Sequence, residues 1–190
     1  MSSSYTDAVY EYLAQPENYR AAKQIASQLS AVDDRLVQNF WREVQQELLQ
    51  RLEPSGWLVQ LRFPNDFTVL RASWQKLGLR FEDLRGNPYF GVWCSEKVFN
   101  RVLVNERLID LKEKEGKGSN PTEGWPWYRT LSGYRFYEGA TLERILPAHR
   151  ALAVKDIADM VERFVTEYGV SLDRVDRETR LTGPFATTQS

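Results

Sequence analysis

Leu79–Cys94 reads LRFEDLRGNPYFGVWC, and this stretch is the most informative about the fold class of the chain. Its first half alternates between apolar and charged residues, so that Leu79 and Phe81 lie on one side of a strand and Arg80 and Glu82 on the other. The RGNP sequence that follows is typical of a turn, and an aromatic strand comes directly after it. Two strands joined this closely are predicted to form an antiparallel hairpin, with one buried face and one face in contact with water.

Upstream of the hairpin lie two more segments that are rich in aromatic and aliphatic residues. Trp57–Phe63 runs into a Pro-Asn-Asp sequence that closes it like a turn, and Thr68–Trp74 follows. Downstream, Trp125–Tyr128 and Tyr134–Tyr137 are shorter aromatic elements. We therefore predict a central antiparallel sheet of about four to five strands.

Helical periodicity flanks this sheet on both sides. A long segment that begins at Pro16 has apolar residues at every third or fourth position, and a shorter helix over Asp7–Leu13 is predicted before it. After the sheet, Val102–Lys114 and Leu142–Tyr168 show the same spacing. Pro147 is expected to separate two helices within the second of these segments.

The order of the elements predicts one α+β domain over residues 1–181. Its N-terminal helices precede the central antiparallel sheet, and its C-terminal helices pack on that sheet. Residues 182–190 are mostly small and polar, and we expect them to form a disordered tail.

The composition excludes several functional classes. The chain has 190 residues, of which 42% are hydrophobic and 27% charged, as in an ordinary globular domain. Its 25 Lys and Arg residues against 26 Asp and Glu give a net charge of -1, so no overall basic field attracts it to nucleic acid or anionic lipid. No apolar run approaches the ~20 residues that span a bilayer, so we expect no membrane partner.

Two further features lead us to expect a cytoplasmic location. The lone cysteine, Cys94, cannot form an internal disulfide and suits a reducing compartment. The N-terminal sequence has neither the basic nor the apolar segment of a signal peptide.

The usual signs of a nucleophilic, metal or cofactor site are missing from the sequence. The only histidine, His149, lies in an amphipathic helical context, and no Gly-x-Ser-x-Gly sequence occurs. One histidine and one cysteine cannot form a structural zinc site, and no glycine pattern is suited to holding a phosphate. We therefore predict no catalytic residue, no bound metal and no cofactor.

The acidic residues leave one catalytic alternative open. Nucleases of the PD-(D/E)XK type hold Mg²⁺ between an acid on one strand and an acid-x-lysine sequence on the next. Asp110-Leu-Lys112 matches the acid-x-lysine sequence, and Asp83 or Asp66 could supply the other carboxylate. Apolar residues at helical spacing around Asp110 argue against a strand there. A divergent Mg²⁺-dependent nuclease that uses Asp83, Asp110 and Lys112 is the alternative to a non-catalytic protein.

Basic residues are interleaved with aromatic ones before and within the hairpin. They are Arg62, Arg71, Lys76, Arg80 and Arg85, in a stretch with several rings and few acids, and the first four are candidate binding residues. If several of these side chains share the wet face of the sheet, they could contact phosphates while a ring stacks on a base. The competing interpretation is an ordinary solvated sheet face, on which arginine stems cover aromatic rings.

Tryptophan is concentrated in one short segment near the middle of the chain. Two of the 6 tryptophans, Trp125 and Trp127, lie within five residues that end at Arg129. Because tryptophan is enriched at binding hot spots, these three residues are candidate binding residues. An exposed Trp125 and Trp127 would also suit a protein-interaction subunit that binds no nucleic acid. The competing interpretation is that the rings close one end of the core.

Four short motifs occur in a fixed order along the chain. They are Pro16-Glu-Asn18, Phe40-Trp41, Tyr89-Phe-Gly-Val92 and Trp125-Pro-Trp-Tyr128. This order resembles the C-terminal accessory region of bacterial PD-(D/E)XK nuclease family proteins, where a PEN helix, an FW helix, a YYGI-like strand and a WxWY segment follow the nuclease core. The resemblance extends over roughly 16–168, nearly the whole chain.

The resemblance implies an accessory module without the nuclease core. In such proteins the metal-binding carboxylates precede this region, and no residue of this chain takes their place. The partners that the resemblance implies are DNA or RNA, a protein, or the missing nuclease domain. We therefore expect a non-catalytic binding module that recognises nucleic acid or a protein partner in a nuclease or defence context.

Overall fold

The computed structural model describes residues 3–181. Within them the chain forms an α+β fold, as predicted, with N-terminal helices, a five-stranded antiparallel sheet and C-terminal helices. The elements are α1 Ser3–Leu13, α2 Pro16–Leu52, β1 Trp57–Arg62, β2 Asp66–Arg71, β3 Leu77–Glu82, β4 Tyr89–Cys94, α3 Arg101–Arg107, α4 Ile109–Glu115, β5 Trp127–Thr130, α5 Gly139–Arg144 and α6 Arg150–Glu178. The tail predicted for residues 182–190 lies outside the described residues.

The strands lie in sequence order, β1-β2-β3-β4-β5, and every neighbouring pair is antiparallel. The predicted hairpin is confirmed as β3 and β4, with Phe81 opposite Phe90. The second strand begins two residues earlier than predicted, because Asp66 pairs with Arg62 across the tight turn that follows β1. It ends at Arg71, since the chain turns at residues 72–76 before β3.

One face of the sheet is covered by helices. Residues directly opposite each other on paired strands project from the same face, which places Phe67, Phe81 and Phe90 together. From α2, the fully buried Trp41 contacts Phe67 and Phe81, and its indole Nε1 donates to the Leu84 carbonyl at 3.0 Å. The C-terminal helix α6 reaches the same face, because Phe164 contacts the ring of Phe90.

Two helical predictions differ in how far the structure bears them out. The segment predicted as one helix over Val102–Lys114 is divided into α3 and α4, which meet at Leu108. The boundary predicted at Pro147 is confirmed, since α5 ends at Arg144 and α6 begins at Arg150. None of the described helices combines the length and the apolar character that a membrane crossing demands.

The chain divides into two units, the first ending at Leu36 and the second beginning at Val37. Between residues 4 and 36 the first unit contains no buried residue. The described core residues all belong to the second unit, starting with Val37 and Phe40. The prediction of a single domain over residues 1–181 stays a prediction.

Candidate binding groove on the open sheet face

The sheet face opposite the helices carries mainly polar residues. The register places Gln60, Thr68 and Arg80 in one row across β1, β2 and β3. A second row beside it contains Arg62, Asp66 and Glu82, with Asp66 directly opposite both of the others. Side-chain alternation therefore brings two of the four predicted basic residues, Arg62 and Arg80, to the same face.

A groove of about 560 Å³ lies over this part of the face. Three of its lining residues are cationic, and none of the described residues that line it is acidic. Its walls are formed by Gln60, Arg62, Thr68, Leu70, Trp74, Gln75, Lys76, Leu77, Arg80, Trp93 and Val98. The groove is thus lined by three cationic side chains, of which Arg62 and Arg80 are ion-paired with Asp66, and Arg80 also with Glu82, on the same sheet face.

A buried carboxylate below the groove holds both arginines in place. Asp66 accepts hydrogen bonds from Arg62 Nε at 3.0 Å, from Arg80 Nη2 at 2.9 Å and from Thr68 Oγ1 at 3.3 Å. The Arg80 side chain is mostly buried, and its Nε also lies 3.2 Å from Glu82. By contrast, the Arg62 side chain remains 64% exposed, so that it can contact a ligand from its present position.

The aromatic part of the groove is formed by Trp93. The Arg80 guanidinium lies over its ring, 4.8 Å from the centroid. Directly opposite Trp93 on β3 is Gly78, where an added Cβ would meet Thr68 Cγ2 at 2.8 Å. The missing side chain at Gly78 therefore allows Thr68 to lie close to the strand and leaves the space beside Trp93 open.

Of the other two predicted basic residues, one lies at the groove and one does not. Lys76 is exposed at the groove edge, immediately before β3, with a positive φ of 59°. Arg71, a candidate binding residue, does not share the wet face of the sheet. Its position opposite Trp57 puts it on the helix-covered face, where its guanidinium lies 4.3 Å from the Trp57 ring centroid and its Nε lies 3.2 Å from Asp173.

The tryptophan segment belongs to the packed interior. Trp127 is fully buried, stacks on Phe164 at a centroid distance of 5.7 Å and donates its indole Nε1 to the Gly116 carbonyl. Trp125 is buried against Tyr89 and Tyr128, which lie on the open sheet face. The alternative that requires an exposed Trp125 and Trp127 surface is therefore wrong, and the competing interpretation, in which these rings are part of the core, agrees with their burial. Trp125 covers the β4–β5 part of the open sheet face.

Arg129, the third candidate residue of that segment, belongs to a charge cluster. Its Nη1 lies 2.9 Å from Glu115, which also pairs with Arg163 at 2.7 Å and accepts from the Tyr168 hydroxyl at 3.3 Å. Burial by itself raises the pKa of the Glu115 carboxyl, but Arg163, Arg129 and Tyr168 outweigh it and hold the pKa below its usual range. The cluster ties the end of α4 to β5 and α6.

Replacing Glu115 with glutamine should destabilise the protein in a pH-dependent manner. Because the folded-state pKa is lowered, the carboxylate stabilises the fold fully above its unfolded-state pKa of about 4.3. This contribution is lost as the pH falls through the folded-state pKa. We expect a loss of about 1–3 kcal/mol in the free energy of unfolding at pH 7, measured by urea denaturation, and a smaller loss below pH ~4.

Glu167→Gln is the matched control for this change. Glu167 also pairs with Arg163, at 3.3 Å, but its side chain is exposed. An exposed pair of this kind contributes about 0–1 kcal/mol. Equal losses for the two variants at pH 7, or a loss at Glu115 that does not depend on pH, would contradict the role given to the buried carboxylate.

The residues of the nuclease alternative lie on a helix and in a turn, away from the groove. Asp110 and Lys112 are both on helix α4 rather than on a strand, and Lys112 Nζ donates to Asn105 Oδ1 at 2.8 Å. Burial lowers the pKa of the Lys112 ammonium. Asp83 closes the β3–β4 turn, accepting from the Asn87 backbone N–H at 2.8 Å.

No group of three or more His, Cys, Asp or Glu residues within the described chain could hold a metal ion. Because Asp110 and Lys112 lie on helix α4, the arrangement on two strands that the nuclease alternative requires of Asp83, Asp110 and Lys112 is not formed. Cys94 is buried at the end of β4, where desolvation raises the pKa of its thiol to about 12. A thiol with this pKa is protonated at neutral pH and is a poor nucleophile.

Sequence reasoning missed two groove residues, Trp93 and Gln60, and the role of Asp66 below the groove. The register brings all three beside Arg80 and Arg62. The period-two pattern within each strand was the available signal for which face they occupy. Their proximity depends on the pairing of β1 with β2 and of β2 with β3, which residue alternation alone does not specify.

Comparison with protein-family models, with curated proteins and with solved structures finds no match to this chain.

Proposed function

We propose that this chain is a non-catalytic binding module whose groove on the open sheet face receives a single-stranded nucleic acid. The observation that carries the proposal is the groove itself, with three cations and no acid among its described lining residues. The motif order described above supports a role beside a nuclease in a bacterial defence context. The lone buried cysteine is consistent with the reducing cytoplasm as its location.

The groove combines the two kinds of group that single strands require. The exposed side chains of Arg62 and Lys76 can contact phosphates along the edge of the groove. The Arg80 guanidinium and the Trp93 ring, which lie one over the other, offer planar groups on which a base can stack. Unpaired bases can reach such a surface, whereas the bases of a duplex are stacked and directed inward. Single strands are therefore the favoured ligand.

The first experiment is a titration with labelled single- and double-stranded oligonucleotides over a series of salt concentrations. We expect binding of the single strand that weakens linearly on a plot of log affinity against log salt concentration. Each phosphate contact on a single strand contributes about 0.7 to that slope. The double substitution Arg62→Ala and Lys76→Ala should reduce the slope by about 1.4, and therefore reduce affinity at low salt.

The control variant combines Lys155→Ala with Arg135→Ala. Both side chains are exposed and paired with exposed acids, Asp159 and Glu138, away from the groove. This variant removes the same total charge, so it should bind like the wild type if the groove is the site. Equal weakening by both double variants, or no binding by the wild type at low salt, would refute the proposal.

A further inference from the structure

A second cavity, of about 560 Å³, lies between helix α4 and the loop that follows it. The helix contributes Ile109, Lys112 and Glu113 to its lining, and the loop contributes residues 117–121. None of the described residues lines both this cavity and the groove on the open sheet face. The cavity is therefore a separate candidate site, which we call the α4 cavity.

The loop wall of the α4 cavity is held against β5. The Ser119 backbone N–H donates to the Tyr128 carbonyl at 2.8 Å, and Trp127 Nε1 donates to the Gly116 carbonyl at 2.9 Å. Gly118 has a positive φ of 71°, and an added Cβ there would meet the Tyr128 carbonyl oxygen at 2.7 Å. Glycine permits both this backbone conformation and this close approach. These contacts fix the loop wall of the cavity before any ligand binds.

The reactive group of the α4 cavity is the Lys112 amine. The Lys112 side chain is half-buried, and its Nζ donates to Asn105 Oδ1 at 2.8 Å. Among the described residues no carboxylate forms an ion pair with Lys112, so its partner is a neutral amide. Burial disfavours the charged form of an amine, and burial is the cause that lowers the pKa of Lys112. Its amine is therefore neutral, and nucleophilic, more often than that of an exposed lysine.

We propose that Lys112 forms an imine with a small aldehyde or ketone that carries an acidic group. The lone pair of the neutral Nζ attacks the carbonyl carbon, and a C–N bond forms. The carbonyl oxygen leaves as water with the two amine hydrogens, so that C=N replaces C=O and no atom is oxidised or reduced. The step needs no co-reactant beyond the carbonyl compound itself.

The other lining residues indicate which carbonyl compounds fit. The lining has two lysines and one glutamate, Lys112, Lys117 and Glu113, and this excess of positive charge favours a ligand with an acidic group. The Lys117 side chain is exposed and can pair with that group from the loop wall. Ile109 and Pro121 offer apolar contacts for the carbon skeleton.

Labelling with glyoxylate tests this proposal. Glyoxylate is an aldehyde that carries a carboxylate, and cyanoborohydride traps its imine as a stable secondary amine, which peptide mass spectrometry locates. At neutral pH we expect Lys112 to be labelled at least ~10-fold faster than Lys155, whose ammonium is exposed and paired with Asp159. Labelling that follows exposure, with Lys155 modified as fast as Lys112, would overturn the proposal.

Two substitutions of Asn105 distinguish a reactive amine from one that is merely accessible. Asn105→Asp gives Lys112 a charged partner, which raises the pKa of the amine and should slow its labelling about 10-fold. Asn105→Gln keeps a neutral amide and should leave the rate near that of the wild type. Equal rates in the two variants would also overturn the proposal. Circular dichroism establishes that each variant keeps the helical content of the wild type.

Lys117→Ala tests the acidic group of the ligand. This variant should slow labelling of Lys112 by glyoxylate about 3-fold and leave labelling by acetaldehyde, which has no acidic group, unchanged. Lys114→Ala is the matched control, because Lys114 is also exposed but does not line the cavity. If Lys117→Ala and Lys114→Ala labelled alike with glyoxylate, the requirement for an acidic group would be refuted.

Discussion

Replacing Trp127 with alanine is expected to lower the free energy of unfolding by about 3–5 kcal/mol, measured by urea denaturation at neutral pH. Trp127 is the first residue of β5, and its ring is fully buried between the sheet and α6, in contact with Phe90 and Phe164. Its removal leaves a cavity, and the Gly116 carbonyl loses the indole N–H that now donates to it at 2.9 Å. Both effects act on the folded state, so the loss should be among the largest of any single substitution in this chain.

Tyr137→Ala is the matched control for this substitution. Tyr137 is also aromatic and lies close in sequence, but its side chain is 66% exposed. Its replacement should change the free energy of unfolding by no more than ~0.5 kcal/mol. If Trp127→Ala were as stable as the wild type, the segment around Trp127 would be a surface element, and its tryptophans would again be candidates for ligand binding.

Replacing Asp66 with alanine is the second change for which we expect a large effect, again about 3–5 kcal/mol in the free energy of unfolding. The Asp66 carboxylate is almost completely buried and pairs with both Arg62 and Arg80. Arg62 can turn toward water when its partner is removed, because its side chain is largely exposed. Arg80 cannot, because its side chain is only 16% exposed, and its charge would lose the main group that neutralises it.

The control is Glu138→Ala, which removes the carboxylate of an exposed pair with Arg135. An exposed pair contributes about 0–1 kcal/mol, so this variant should unfold close to the wild type. Urea denaturation of both variants at the same ionic strength gives the comparison. A loss at Asp66 no larger than that at Glu138 would mean that Arg80 finds another partner, such as Glu82, and that Asp66 does not hold the groove together.

Local sequence patterns predicted most strands and helices of this fold, because the conformation of each such element depends mainly on neighbouring residues. Alternation along Leu79–Glu82 identified the third strand, and the RGNP turn identified its pairing with the fourth. Periodicity identified α2, which begins at Pro16 as expected. The long helix predicted over Val102–Lys114 is divided at Leu108, a difference that spacing could not show, because both halves share one apolar side.

The candidate site was less predictable, since it joins residues that are distant in sequence. Arg62, Lys76 and Arg80 were identified from the density of basic residues, but so was Arg71, which the pairing of β1 with β2 places on the opposite face. Asp66 was considered as a metal ligand, whereas its contacts are to two arginines and a threonine. Trp125 and Trp127 were considered as binding residues because tryptophan is concentrated in that segment, and this concentration does not distinguish a core ring from an exposed one.

Residue order was sufficient to predict the α+β class, the antiparallel hairpin and the amphipathic spacing of α2, because period and turn chemistry are properties of adjacent residues. Which charges are neutralised and which rings are buried depends instead on how the strands and helices pack. Arg62 and Arg71 are both strand arginines, and strand register sends one to an open groove and the other against Trp57. Register and packing arise from contacts between separate strands and helices, and those contacts determine which side chains lie at the candidate groove.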